Sequence, residues 1–203
     1  MPIERSIPNP AFIHLFTEYL GLSAVEIDRL LEKFHVRTIA KRSFLVQAGE
    51  VNTHLAYVNK GCSRSFTMDS KGKEHVLFFG FEDWWLADYE SLMTRKPGKQ
   101  YVQAIEDLEL LCIANEALET LCNVIPALRK WRQGKQLKMV ISMIDRLIEV
   151  KSCTPEERIL KMARSRPDIF QRVSMQDIAS YLDIEPPSLS RIRRRMLEGE
   201  RST

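Results

Sequence analysis

Pro186 and Pro187 interrupt a stretch otherwise patterned for helix, and they dictate how residues 173–198, VSMQDIASYLDIEPPSLSRIRRRMLE, can fold. Proline has no amide hydrogen to donate and its ring clashes with the preceding turn, so a helix accepts it only in its first turn. One helix must therefore end before the pair and another begin at it. The first opens at Ser174, a hydroxyl cap, with Asp177 three residues on in the manner of a capping box. Ile178, Ala179 and Leu182 give it an apolar spacing. The turn falls at Asp183-Ile184-Glu185. In the second helix Leu189, Ile192 and Met196 recur at threes and fours and face inward. Ser188, Ser190, Arg191, Arg194 and Arg195 fall largely on its other faces.

Two short helices about a tight turn are the layout of a helix-turn-helix whose second helix enters the DNA major groove. Hydroxyls and arginines at the start of that helix reach base edges, and arginines further along meet phosphates. Ser174, Gln176, Ser188, Ser190, Arg191, Arg194 and Arg195 are the candidate DNA-contacting residues. A solvated basic helix in an ordinary helical domain is the plainer alternative. Charge placement favours the first reading. Residues 151–203 hold eleven Lys/Arg against eight Asp/Glu, an excess of +3, whereas residues 1–150 hold nineteen of each.

Upstream the pattern changes. Residues 10–34 read as two short helices, the first with Phe12, Ile13, Phe16 and Leu20 on one face. The second is capped by Ser23 with Glu26 completing the box, and Ile27, Leu30, Leu31 and Phe34 form its apolar stripe. Short extended runs then follow at 36–40, 44–50, 54–61, 63–69, 75–79, 101–107 and 108–114. Turn signals at Gly49, Lys60-Gly61, Lys71-Gly72 and Pro97-Gly98 separate them. Many short strands between turns argue a sandwich or barrel. A short helix follows at 115–122. A long one starts at Ile125-Pro126 and runs to about Val150. In it Leu137, Val140, Met143, Ile144, Leu147 and Ile148 fit either a coiled-coil-like seam or packing on the chain's own domain. A polar hinge at 151–154 precedes a further helix, with Thr154 as cap, Pro155 in its first position and Glu157 closing a capping box. Residues 170–173 could form a wing strand.

IASYLDIEPPSLSRIRRRM closely resembles the recognition unit of the CRP/FNR family of bacterial transcription regulators, and the likeness extends over nearly the whole chain. Gln47-Ala48-Gly49-Glu50 and Val58-Asn59-Lys60-Gly61 resemble the family's two glycine turns. The resemblance implies an α+β fold in three parts. Residues 1–124 would form a double-stranded β-helix (jelly-roll) sensor domain with N-terminal helices, and residues 125–150 a long dimerisation helix. Residues 151–203 would form a C-terminal winged helix-turn-helix domain. In the family the long helix is the two-fold interface, which here points to Val140, Met143, Ile144 and Leu147 as the dimer seam.

Two departures from the family matter. Relatives usually carry glycine in the recognition turn, where Asp183 stands here; an aspartate tolerates positive φ. Relatives that read a guanine-rich half-site carry Arg-Glu where this chain has Pro186-Pro187, so the target site should differ. The expected effector pocket lies in residues 82–104. Cyclic-AMP-binding relatives hold the ribose with Gly-Glu and the cyclic phosphate with Arg-Ser. Ala87-Asp88 and the neighbourhood of Gly98-Lys99 stand in those places. The phosphate clamp therefore lacks its arginine, and Arg95 comes several residues too early. Lysine cannot reproduce a bidentate fork. Trp85, Ala87, Asp88, Tyr89 and Lys99 are the candidate pocket residues, with Trp84, Trp85 and Tyr89 either a pocket wall or ordinary core.

The expected partners are double-stranded DNA, a second copy of the chain, RNA polymerase and a small effector other than cyclic AMP. No cofactor or metal is called for, and the protein is read as a regulator, not an enzyme. The four cysteines form no CxxC pair. His14, His35, His54 and His75 are scattered, unlike the HxH ligand pair of a cupin-type metal enzyme. Haem-binding relatives make His75 the one histidine to name. No signal-peptide pattern or membrane-length apolar run is present, so a cytoplasmic location without membrane contact is expected. The alternative function is a small-molecule sensor with reduced or lost DNA binding, for which the double proline is the hint.

Overall fold

The computed structural model describes residues 8–200, with side chains through Met196. Helix α1 (Pro10–His14) begins at Asn9, whose side chain accepts from the Phe12 amide, and passes into one π-helical turn (Leu15–Tyr19). Helix α2 (Ala24–Leu31) starts with the expected Ser23–Glu26 capping box. Eight strands follow: β1 (Phe34–Ile39), β2 (Phe44–Val46), β3 (His54–Lys60), β4 (Ser63–Met68), β5 (Glu74–Gly80), β6 (Trp85–Leu86), β7 (Tyr101–Ala104) and β8 (Leu108–Ala114). Helix α3 (Tyr89–Thr94) sits between β6 and β7. The C-terminal half is helical: α4 (Asn115–Val124), α5 (Pro126–Ser152), α6 (Pro155–Ser165), α7 (Ile169–Arg172), α8 (Met175–Leu182) and α9 (Pro186–Glu200).

The strands form two four-stranded antiparallel sheets, in orders β1-β8-β3-β6 and β2-β7-β4-β5. Val46, Val58, Leu86, Val102, Leu110 and Cys112 pack between them. The near-continuous apolar run of β8 has a simple cause: both its faces are buried. Leu108, Leu110 and Cys112 enter the inter-sheet core, while Leu111 and Ile113 turn outward beneath the helices. On that outer face α1, α2, α4 and the start of α5 bury Phe12, Phe16, Leu30, Leu118, Leu128 and Trp131. The second sheet's outer face is covered by the C-terminal helices, in a core that joins Phe66, Val76, Phe79 and Phe81 to Ile159, Ile178, Leu182 and Leu189. Gly61 has φ +98, and a Cβ there would lie 2.4 Å from the Asp107 carbonyl oxygen, so the second glycine turn requires glycine.

The strand expected at residues 170–173 is instead the helical turn α7, and among the described residues no strand follows β8. A two-stranded wing needs a hairpin, and Val173 passes directly into the Ser174 cap of α8, leaving no room for a return strand. The long helix fits its expected span, and the Thr154–Glu157 capping box opens α6.

Candidate nucleic-acid interface and its contact with the sensor sheet

Ser174 accepts from the Asp177 amide (3.1 Å) and donates its hydroxyl to the Asp177 carboxylate (2.6 Å), fixing the start of α8. The helix ends at Asp183 in the left-handed conformation, φ 54 and ψ 51, with the Ile184 amide reaching back to the Ala179 carbonyl. Both prolines occupy the first turn of α9 without breaking it. Leu189 and Ile192 are buried, which turns Ser190, Arg191, Arg194 and Arg195 outward and leaves Ser188 half-buried. Ser188, Arg191, Arg194 and Arg195 line one open groove of about 690 Å³ against Pro155 and Glu156. Arg195 pairs with Glu156 at 2.7 Å, and Arg191 donates to the Ser188 hydroxyl at 3.2 Å. Arg193 points the other way and stacks over Phe170.

Ser174 and Gln176 are exposed but belong to a second cleft, with Lys41, Arg42, Arg64, Gln103 and Arg172. Six of the seven candidate DNA residues are therefore split between two surfaces, and Ser190 faces solvent apart from both.

The reason is a contact that sequence reading missed: α8 docks on β5, the edge strand of the second sheet. The Ser180 hydroxyl accepts from the Val76 amide (3.0 Å) and donates to the Glu74 carbonyl (3.3 Å), so it satisfies backbone groups of an otherwise open edge. Tyr181 packs on Phe79, and Arg146 of α5 lies over the Tyr181 ring at 4.2 Å. Arg64 of β4 bridges Asp177 (2.5 Å) and Glu74 (2.7 Å) while holding Gln103. Below this, Arg172 forks onto Glu82, each terminal nitrogen 2.8 Å from one oxygen, and donates to Glu106 at 2.9 and 2.6 Å. The Arg172 hydrogen bonds hold the Glu82 carboxyl down at about 2, against partial burial, and the two carboxylates raise the Arg172 guanidinium further. Arg166 adds a contact to Glu82 at 3.3 Å and lies over Phe81 at 4.0 Å. Residues far apart in sequence build this junction, so no local pattern could have revealed it.

The expected effector residues do not form one site. Asp88 is fully buried and consumed internally: it accepts from the Ser91 amide as the cap of α3 and from the Gln100 amide. Gly98 packs against it so closely that a Cβ would lie 2.0 Å from its Oδ2. Ala87 is buried beside it. The Lys99 side chain is 78% exposed and pairs with Glu90, not with the pocket. Arg95 is the left-handed residue ending α3 and reaches Glu116. Trp85 and Tyr89 face the other side of the sheet, where Trp85 joins an aromatic cluster with Phe12, Phe34, Tyr57 and Trp131. Trp84 is half exposed.

Folding brings the rings of His35 and His54 to 5.4 Å, a proximity hidden in the sequence. Among the described residues no three His, Cys, Asp or Glu side chains are grouped to hold a metal. His75 bonds to Asp69 at 3.0 Å on the surface. No described helix is long and apolar enough to cross a membrane.

An antiparallel jelly roll joined through a long helix to a helix-turn-helix is the architecture of the CRP/FNR-type regulators, and in fold this chain is of that type. Residues 36–124 match the cyclic nucleotide-binding domain family. No curated protein matches the chain in sequence. Among solved structures, FixK2 from Bradyrhizobium japonicum has a TM-score of 0.71 at 17% identity, covering 82% of this chain and 86% of its own. The c-di-GMP responsive global regulator CLP of Xanthomonas campestris has a TM-score of 0.66 at 18% identity, with coverages of 88% and 93%. A CRP/FNR-family regulator from Eubacterium rectale has 0.68 at 14%, with coverages of 89% and 87%.

Proposed function

We propose that the protein is a cytoplasmic, homodimeric transcription regulator that binds double-stranded DNA through α9, under control of the jelly-roll domain and in concert with RNA polymerase. The observation that carries this reading is the composition of α9's free face. Ser188, Arg191, Arg194 and Arg195 share one groove, which the edge of the buried Ile192 also lines, while Leu189 is fully buried beneath them. Hydroxyl and guanidinium groups near the start of a helix suit base edges, and later arginines suit phosphates.

A single helix-turn-helix has too few contacts for tight specific binding, so a second copy is needed. The seam on α5 supports that. Leu137, Val140, Ile141, Met143, Ile144, Leu147 and Ile148 are each 40% exposed or more, in a helix whose only buried residues, Leu128 and Trp131, lie near its start. Seven large apolar side chains facing water along one helix favour a two-fold partner over packing within the chain.

Any effector acting between the sheets should not be cyclic AMP. A cyclic phosphate must exchange its hydration for a cation and hydrogen bonds. Asp88 is already committed to two amides, and Lys99 to Glu90 in solvent. The alternative of a sensor that has lost DNA binding is disfavoured by a recognition helix that accommodates both prolines in its first turn.

The test is binding to an operator selected from random DNA. Arg191→Ala should cost about 1–3 kcal/mol on that site and relax specificity at one position. Arg194→Ala should weaken all sequences evenly and flatten the salt dependence. Wild-type affinity in both variants would remove α9 from the interface.

A further inference from the structure

Helix α9 opens with two apolar rings that the fold leaves in water. Pro186 and Pro187 are both exposed, although one proline suffices to start a helix. At about 100° per residue, Pro187 falls opposite the buried stripe of Leu189 and Ile192. It is in line with the exposed Arg191 and Arg194, four and seven residues further on. Pro186 stands beside Ser190 by the same spacing. A proline ring, not a polar side chain, therefore heads the centre of α9's free face.

The backbone at this tip adds no donor. Helix N-termini ordinarily present free amides to phosphate. Here Pro186 and Pro187 have no amide hydrogen, and the Ser188 and Leu189 amides both donate to the Glu185 carbonyl, at 2.9 and 3.1 Å. The Glu185 carboxylate is exposed, without an ion pair among the described residues, and its charge repels phosphate. The first turn of α9 is thus unsuited to the DNA backbone. Its rings are suited to an apolar group on a base edge.

The floor of the major groove carries one such group, the C5-methyl of thymine; its other features are hydrogen-bond donors and acceptors. A proline ring against N7 and O6 of guanine, or N4 of cytosine, strips those groups of water and supplies no partner. Against a thymine methyl it buries apolar surface on both sides. We propose that Pro187 makes this protein a reader of thymine. Its ring packs on the C5-methyl of a T·A pair near the base contacted by Arg191. Four residues of helix rise about 6 Å and base pairs stack about 3.4 Å apart, so that thymine lies roughly one or two pairs from the Arg191 base. The inference rests on the DNA-binding reading of α9 and names the base that the start of this helix selects.

The experiment uses the full-length chain and an operator selected from random DNA. Each thymine of one half-site is replaced in turn by deoxyuracil, which removes only the methyl, and affinity is read by fluorescence anisotropy. Wild type should lose about threefold to fivefold at one thymine, the equivalent of one buried methyl-sized group. That thymine should neighbour the base whose preference Arg191→Ala relaxes. Pro187→Gly should bind the thymine and uracil operators equally, since no ring remains to meet the methyl. Pro187→Glu supplies an acceptor and should move the preference at that pair from thymine to cytosine. A glutamate suits the first turn of a helix, so this variant remains informative if Pro187→Gly disorders α9. If Arg191→Ala weakens binding but no thymine is sensitive to uracil, α9 reads the groove and the thymine assignment alone is overturned. Equal uracil sensitivity in wild type and Pro187→Gly overturns it as well. If Arg191→Ala keeps wild-type affinity, the DNA-binding reading of α9 fails and this assignment falls with it.

Discussion

Replacing Arg172 by methionine keeps most of the side-chain stem and removes the guanidinium that joins Glu82 and Glu106 of the jelly roll to the C-terminal helices. The structure sets the size of the effect. Hydrogen bonding to Arg172 is the largest reason the Glu82 carboxyl titrates at about 2 instead of the ordinary 4.5. At about 1.4 kcal/mol per pH unit, that displacement corresponds to roughly 3 kcal/mol as an upper limit. A third of the Glu82 side chain faces water, and the Gly61 amide and Arg166 remain as partners, so solvent screening lowers the expected loss to about 2 kcal/mol. The sign of the pH dependence follows. A carboxyl depressed by folding contributes stability that is present above its unfolded value near 4.5 and fades as pH falls toward 2. Arg172→Met should therefore be destabilised at pH 7, with the difference from wild type shrinking from about pH 4.5 downward and nearly gone only near pH 2. Urea unfolding at several pH values measures this. Trp84, Trp85 and Trp131 all precede the helix-turn-helix, so fluorescence reports the sensor side while circular dichroism is dominated by helices. In wild type the two transitions should coincide, and in the variant the helical one should come earlier. A loss below about 0.5 kcal/mol at pH 7, or a loss equal at pH 3 and pH 7, would refute the reasoning.

Three further outcomes are expected. Ile144→Asp places a charge in the α5 seam and should convert a dimer to monomers in sedimentation; an unchanged dimer would move the interface off α5. Cyclic AMP at millimolar concentration should neither raise the melting temperature nor alter DNA affinity, and calorimetric binding at micromolar affinity would contradict the commitment of Asp88 to the Ser91 and Gln100 amides. Asp183→Ala should cost about 1 kcal/mol because alanine is strained at φ 54, whereas Asp183→Gly should be neutral or stabilising; equal melting temperatures for the two would exclude backbone strain at this turn.

Legibility in the sequence followed the range of the forces involved. The capping boxes at Ser23 and Thr154, the left-handed Asp183 and the helix restart at Pro186 were readable because each depends on neighbours within about four residues. The seven strands other than β6 were readable from their turns, and the fold class from motif order. The two-residue β6 and the helix α3 were not, because Trp85 and Leu86 are held by pairing with Tyr57 and Ala56, not by a pattern of their own. The wing strand failed for a local reason, the immediate start of α8 after Val173.

What the sequence determined by itself was therefore the helix restart at Pro186 with its arginines, the apolar stripe along α5 and the absence of an arginine beside Gly98-Lys99, since each is a matter of residue type at fixed spacing. Tertiary structure alone decided what those side chains can still do. Asp88 stood at the expected ribose position and is sealed by Gly98; Lys99 was a candidate pocket residue and faces solvent with Glu90. Ser174 and Gln176 looked continuous with Arg191 and open on a different cleft. Arg64, Glu82, Glu106 and Arg172 carry no motif along the sequence and form the junction between the jelly roll and the C-terminal helices. Charge pairing, burial and cavity formation act across whatever surfaces the fold brings together, and separations such as the one between Glu82 and Arg172 carry no periodic signal along the chain.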